Sequence, residues 1–173
     1  MSLVMLRYDE RAPQVVSIFM EFAQASCKAQ EFESLLKLNL QYSLALAGIF
    51  ESVSASDDSA RKHEVISMGQ IYERLKPYLR DASLSSMIDR GVDTRNALVH
   101  QFFATRQAGL VLTAKESAGA IKWCRAATAE FTVICRKLED RWAELAALLA
   151  ADPDAAVPGM KARYDAIERG EWP

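Results

Sequence analysis

Three polar side chains on one predicted helix are of types that could carry out chemistry. Arg95, Asn96 and His100 lie within the segment DTRNALVHQFF, residues 93–103. Arginine presents a fixed fork of donors that suits a phosphate or a carboxylate, and histidine can transfer a proton near neutral pH. Asn96 and His100 are four residues apart, so their side chains are neighbours on a helix. Together the three side chains predict a site for an anion, and phosphate is the most obvious one.

Arg95 falls on an apolar stripe of the same predicted helix. At about 100° per residue the stripe consists of Leu84, Ile88, Gly91, Leu98 and Phe102. Because arginine is rarely buried without a partner, two interpretations of Arg95 stay open. Either it pairs with a buried carboxylate of the long first helix, or it lines a cleft with Asn96 and His100 and binds an anion. The candidate carboxylates are those of Glu31, Glu33 and Glu51.

The composition is that of a globular protein and excludes one class of function. The 173 residues fit one domain, and 21 basic against 23 acidic residues leave a net charge of −2. A slightly acidic chain lacks an extended basic surface for nucleic acid, so any contact with RNA must be local. No acidic residue occurs between Thr94 and Lys115, which makes the charge around the candidate site positive.

The cysteines and the hydropathy exclude further classes. Cys27, Cys124 and Cys135 have no metal-ligand spacing, and the chain has two histidines, so a zinc site is not expected. The sequence contains no phosphate-binding glycine-rich loop, and we expect neither a metal nor a cofactor. No apolar run approaches roughly 18 residues and the N-terminus has no signal-peptide layout. The sequence therefore predicts a cytoplasmic protein without membrane contact.

The pattern of apolar residues predicts an all-α protein with its helical bundle over residues 13–150. Residues 1–12 are predicted to be an extended lead-in, and residues 151–173 a short C-terminal helix or tail. Pro13 is predicted to open a long helical segment over 13–52, because proline is tolerated at the first helical position. This segment is either one helix or two with a break near Ser26.

Start and stop signals divide the rest of the bundle. A short helix is predicted to end near Pro77, and Asp81 or Ser83 can cap the next, which runs from about Leu84 to Arg106. Thr113 and Glu116 have capping-box spacing and open a last helix that reaches about Ala150. The apolar residues of that helix repeat every seven, which favours an antiparallel partner, and residues 13–52 have the required span. The expected architecture is four to five helices with two long antiparallel ones.

The candidate site resembles a known family. The order R-N-x-x-x-H in RNALVHQFF, preceded by SMGQIYERL, resembles the HEPN superfamily (higher eukaryotes and prokaryotes nucleotide-binding), and the likeness covers about residues 28 to 140. The resemblance implies an all-α fold and a homodimer in which the two motif helices face each other. Many members are metal-independent endoribonucleases that act as toxins or phage-defence effectors, and others are inactive binding modules.

The resemblance also implies roles for the three residues. His100 would act as general base or acid on the ribose 2′-OH or the leaving oxygen, Arg95 would stabilise charge on the phosphate, and Asn96 would orient the phosphate or the imidazole. An antitoxin partner is implied as well. Phe102 stands where one toxin branch has a tyrosine that its partner modifies, so that modification is not expected. The alternative to a nuclease is an inactive helical dimerisation or ligand-binding module, or a structural adaptor.

Two further features are interpreted as structural. Trp123 and Trp142 are predicted to be core or interface anchors and not platforms on which bases stack. The mixed charges of KLEDRWAE, residues 137–144, are predicted to form a solvated helix face.

Overall fold

The computed structural model describes residues 8–46, 67–102 and 114–152. These residues form four α-helices, and no strand occurs among them. The helices are α1 (Tyr8–Leu46), α2 (Met68–Leu75), α3 (Ala82–Asn96) and α4 (Ala114–Ala151). The predicted all-α fold class is therefore confirmed. None of the helices in these ranges combines the length and the hydropathy needed to cross a bilayer.

The first helix begins earlier than predicted. It starts at Tyr8 and contains Pro13, so residues 8–12 are helical and do not belong to an extended lead-in. Proline removes one hydrogen bond, to the carbonyl of residue 9, and so close to the helix start this loss does not end the helix. The helix continues through Ser26 without a break, which settles the alternative of two helices. Residues 1–7 and 47–52 lie outside the described residues.

The short second helix has a complete cap at its start. The Ser67 hydroxyl accepts a hydrogen bond from the Gln70 amide, and the Gln70 side chain accepts one from the Ser67 amide. This capping box was not predicted, although Ser and Gln three residues apart are its usual signature. The helix ends in a 3₁₀ turn over Lys76–Tyr78 that contains Pro77, as expected.

The third helix begins two residues before its predicted start at about Leu84, and a π-helical turn follows its end. The Asp81 carboxylate accepts a hydrogen bond from the Ser83 amide, so Asp81 is the cap. After Asn96 the chain forms a π-helical turn over Ala97–Gln101, closed by a hydrogen bond from the Phe102 amide to the Ala97 carbonyl. A regular helix to Arg106 was predicted, and residues 103–106 lie outside the described residues. The π turn is the departure from that prediction that concerns the candidate site.

The last helix agrees with its predicted bounds. It begins at Ala114 and ends at Ala151, within one residue of the predicted end. Thr113, the predicted cap, lies outside the described residues. The seven-residue repeat marks the buried face: Cys124, Phe131 and Leu138 are fully buried, whereas Leu145 is half-buried.

The chain divides into two compact units, each with its own core. The first unit comprises Met1–Phe32 and Met87–Ile134, and the second comprises Glu33–Ser86 and Cys135–Pro173. In the first unit the rings of Phe32 and Phe131 stack with centroids 5.7 Å apart, and both side chains are fully buried. In the second unit the largest fully buried apolar side chains are Leu36, Leu75 and Leu138.

Contacts within the first unit contradict the predicted antiparallel arrangement of the long helices. Glu21 of α1 binds Arg125 of α4 at 2.7 Å, and further along both helices Phe32 meets Phe131. Contacts therefore advance in the same sense on both helices, which run parallel. The hydrogen bond to Glu21 and the charge of that residue raise the pKa of Arg125.

In the second unit, α1 and α4 are parallel as well. The Asn39 side chain bonds the Leu138 carbonyl, and four residues later Ser43 bonds Arg141. A heptad pattern sets the spacing of contacts along a seam and not the direction of the partner helix, so it could not settle this point.

In the first unit, α3 is antiparallel to both α1 and α4. Gly91 of α3 lies against Phe32, and Phe102, which follows the π turn after α3, stacks on Phe22 of α1. A chain that goes up along α1 and back along α3 must come up again along α4. Within the first unit this order explains the parallel direction of the two long helices.

We expect Gly91→Ala to lower the free energy of unfolding by about 1–3 kcal/mol, although alanine favours a helix by about 1 kcal/mol over glycine. A Cβ at Gly91 would lie 2.8 Å from the Ile134 Cδ1 atom and 3.1 Å from two atoms of the Phe32 ring. Ile134 can move its terminal methyl group, but the buried ring cannot move without displacing Phe131. Urea unfolding followed by circular dichroism measures the change.

The matched control is Gly119→Ala in α4, where an added Cβ meets nothing within 4 Å. There we expect the free energy of unfolding to rise by about 0.5–1 kcal/mol, because only the helical propensity changes. Equal stabilisation by both substitutions would show that the contact at Gly91 has no cost.

Candidate functional site

Two of the three predicted site residues lie together at the end of α3. Arg95 and Asn96 are both half-buried, and the Arg95 Nη1 atom donates a long hydrogen bond of 3.4 Å to the Asn96 Oδ1 atom. The amide therefore holds one arm of the guanidinium fork. The apolar stripe around them is buried as predicted: Leu84, Ile88, Gly91, Leu98 and Phe102. Arg95 lies at the partly open margin of this core.

His100 lies on the π turn that follows, and its side chain is exposed. Within the described ranges no hydrogen bond or ion pair joins His100 to Arg95 or Asn96. Its neighbours Val99 and Gln101 are exposed too, and Val99 is 50% exposed. The structure thus pairs the guanidinium with the amide and presents the imidazole to solvent on the next turn.

The π turn changes the angular relation between Arg95 and His100. Residues five apart in an α-helix lie about 140° apart around the axis, on different faces. A π turn closes its hydrogen bond over five residues instead of four, so each residue advances by a smaller angle. The turn over Ala97–Gln101 covers most of the interval between Arg95 and His100 and reduces their angular separation. It therefore brings an R-x₄-H pair closer to a common face than a regular helix would.

An acidic residue of α4 anchors the motif helix just before the site. The Thr94 hydroxyl donates a 2.8 Å hydrogen bond to the Glu130 Oε2 atom. The other oxygen of the same carboxylate lies 3.8 Å from the Arg90 Nε atom, one helical turn earlier. One side chain of α4 therefore holds two successive turns of α3, the second of which carries the residue before Arg95.

An aromatic cluster anchors the motif helix just after the site. The buried Phe102 ring lies between two others, with centroid distances of 5.1 Å to Phe22 and 5.7 Å to Trp123. Phe22 belongs to α1 and Trp123 to α4, and Phe102 directly follows the π turn after α3. Trp123 is thus a packing side chain in this unit, as predicted. Trp142 packs edge-on against Tyr42 in the other unit.

Two of the three carboxylates considered as partners of Arg95 are paired with lysines. Glu31 binds Lys28 at 2.7 Å and Glu33 binds Lys37 at 2.8 Å, in each case on α1 itself. Each of these two carboxylates therefore already has a cationic partner on its own helix. Glu51 lies outside the described residues.

The second unit contains a polar cluster that the sequence interpretation missed. Fully buried Asn39 donates to the Leu138 carbonyl and accepts a 3.1 Å hydrogen bond from Arg141. Arg141 also donates to the Ser43 hydroxyl and, at 2.8 Å, to the Tyr78 carbonyl. The cluster joins α1, α4 and the 3₁₀ turn.

Arg141 corrects the interpretation of residues 137–144 as a solvated face. It is half-buried, whereas Lys137, Glu139 and Asp140 are exposed as predicted. Burial lowers the pKa of Arg141, and the charge of Glu144 opposes this in part. The available signal was Asn39, an uncharged polar residue within the apolar run of the first helix, which requires a polar partner when buried.

These features define an all-α protein whose candidate site spans the end of α3 and the π turn that follows it. Among the described residues, no cluster of histidine, cysteine and acidic side chains could hold a metal ion. Comparison of the chain with protein-family models, with curated proteins and with solved structures finds no match.

Proposed function

We propose that this chain is a HEPN-like, metal-independent endoribonuclease and acts as a toxin or phage-defence effector. Its site consists of Arg95, Asn96 and His100. The observation that carries the proposal is the π turn, which covers most of the segment between the arginine and the histidine and includes the histidine. Single π turns inserted in α-helices are rare and occur frequently at functional sites.

The residue types suit cleavage of RNA by its own ribose. The 2′-oxygen attacks the adjacent phosphorus, the bond from phosphorus to the 5′-oxygen breaks, and a 2′,3′-cyclic phosphate and a 5′-hydroxyl result. His100 takes the proton from the 2′-OH or gives one to the 5′-oxygen, and its exposure makes either group reachable. Arg95 stabilises the additional negative charge on the phosphate, and Asn96 orients the guanidinium through their hydrogen bond.

A homodimer through the motif helix would complete this site. One imidazole cannot act as base and acid at once, whereas two copies of His100 facing each other supply both roles. Exposed Val99, next to His100, offers an apolar contact for the second copy. An antitoxin that covers the same face would block both RNA and the second copy.

The test is cleavage of single-stranded RNA in the presence of EDTA. We expect the purified protein to leave 2′,3′-cyclic phosphate ends, and His100→Ala to lower kcat by about 10²–10⁴-fold, the usual contribution of a general acid or base. Arg95→Ala is expected to lower kcat by about 10²–10³-fold, and Arg95→Lys by less, because it keeps the charge and loses the fork. Ribonuclease assays with end-group analysis measure these changes.

Two controls separate chemistry from folding. His63→Ala removes the other histidine of the chain, and Arg74→Ala removes an exposed arginine of α2. Both variants should cut like the parent, and all variants should unfold at the parent's temperature. Cleavage by His100→Ala at the parental rate would contradict the assignment. RNA binding without cleavage by the parent protein would indicate an inactive binding module.

A further inference from the structure

The Glu130 carboxylate joins α4 to α3 immediately before the π turn. Its Oε2 atom accepts the 2.8 Å hydrogen bond from Thr94, and its Oε1 atom faces Arg90 at 3.8 Å. The two contacts differ in strength. Arg90 is 67% exposed, and an exposed ion pair of this length contributes little. The short hydrogen bond from a part-buried hydroxyl to a charged oxygen is the stronger of the two.

The position of Thr94 gives this hydrogen bond a consequence for the site. Thr94 directly precedes Arg95 and Asn96, and the π turn starts at Ala97. A π turn changes the direction of the side chains after it only with respect to the helix before it. If that helix can rotate or shift along α4, the turn does not fix the position of the His100 side chain. A fixed point before the turn is therefore required.

The other end of the turn is fixed independently. Phe102 closes the turn through its amide and stacks between Phe22 and Trp123. The five residues Ala97–Gln101 are thus held between a polar anchor and an aromatic one. The aromatic anchor holds the buried side of the helix after the turn. The polar anchor fixes the rotation of the helix about its axis at the residue next to Arg95.

We propose that Glu130 is a positioning residue of the candidate site and acts through the Thr94 hydroxyl. This inference rests on the proposed function for its effect on catalysis. The anchoring of the π turn itself does not depend on that function. Glu130 binds Thr94 and Arg90, so its effect on Arg95 and His100 is exerted through α3.

The experiment compares two pairs of matched variants by two readouts. Thr94→Val removes the hydroxyl at nearly constant shape, and Thr94→Ser keeps it. Glu130→Ala removes the acceptor, and Glu130→Gln keeps an acceptor oxygen. Arg90→Ala removes the weaker contact alone. The readouts are amide hydrogen exchange over residues 97–102, measured by mass spectrometry, and the separate kcat and KM values for RNA cleavage.

We expect Thr94→Val and Glu130→Ala to speed exchange over residues 97–102 by about tenfold, the effect of one charge-assisted hydrogen bond on a local opening. Both should lower kcat with little change in KM, because RNA still binds while the imidazole is misplaced. Thr94→Ser and Glu130→Gln should keep the exchange rate and kcat close to their parental values, and Arg90→Ala should change neither quantity.

The two proposals fail in different ways. If the parent protein cleaves no RNA but the exchange pattern is as expected, the proposed nuclease is wrong and the anchoring role of Glu130 is supported. If Thr94→Val and Glu130→Ala leave exchange at the parental rate, the positioning role is overturned whether or not the parent cleaves. The positioning role is also overturned if Thr94→Ser, which keeps the hydroxyl, loses as much kcat as Thr94→Val.

Discussion

Replacing Asn39 with alanine should lower the free energy of unfolding by about 2–4 kcal/mol. Asn39 is fully buried, and its side chain takes part in three hydrogen bonds, to the carbonyls of Leu35 and Leu138 and from Arg141. Alanine removes all three and leaves a half-buried guanidinium with one acceptor fewer. Urea unfolding followed by circular dichroism measures the loss.

The double variant tests the reason for this loss. Asn39→Leu combined with Arg141→Met replaces both partners by apolar side chains of comparable length, so no buried charge is left with a missing acceptor. We expect it to be more stable than Asn39→Ala, because removing both polar partners costs less than leaving one behind. Gln41→Ala, at an exposed position of the same helix, is the control and should stay within about 0.5 kcal/mol of the parent. An equally small effect of Asn39→Ala would contradict the role of the cluster.

This cluster also shows why part of the second unit could not be predicted. Arg141 lies among charged residues along the chain, and local pattern indicates a solvated face there. Its burial depends on the Tyr78 carbonyl, 63 residues earlier, and on Asn39, 102 residues earlier. Such contacts follow from the packing of helices that are distant in sequence, which periodicity does not encode.

The elements themselves were predictable because their signals are local. Apolar spacing identified the buried stripe of the motif helix, two candidate caps (Asp81 and Ser83, of which Asp81 is the cap) marked its start, and Pro77 marked the end of α2. The end of α4 followed from the segment ADPDAAVPG, residues 151–159, whose prolines and glycine end a helix. Pro13 misled the prediction of the first helix, because proline permits a helix start without requiring one.

The candidate site was predictable in its residues and not in its geometry. The types and the spacing of Arg95, Asn96 and His100 are written in the chain, and their partial burial or exposure agrees with a site at the margin of the core. The π turn is not written there, since no residue type is specific for it. The residues on either side of the turn make contacts to other helices, namely Thr94 to Glu130 before it and Phe102 to Phe22 and Trp123 after it.

Phe102, the aromatic anchor after the π turn, is the second residue whose substitution should lower the stability strongly. We expect Phe102→Ala to lower the free energy of unfolding by about 3–5 kcal/mol. The side chain is 3% exposed and contacts rings on two other helices, so alanine leaves a cavity and removes two stacking contacts. The backbone hydrogen bond from residue 102 to Ala97 does not require the ring. The loss therefore measures packing and not the closure of the turn.

Trp123 reports the same change without reference to global unfolding. In a background with Trp142→Phe and Trp172→Phe, Trp123 is the remaining tryptophan, because the chain has three. Removing the Phe102 ring should expose one face of the indole and shift its emission to longer wavelength in the folded protein. Phe102→Leu is the control: it keeps most of the apolar volume, should cost about half as much stability or less, and should shift the emission less. If Phe102→Ala stays within about 1 kcal/mol of the parent and leaves the emission unchanged, the rings do not anchor the motif helix, and the π turn must be held from the Glu130 side alone.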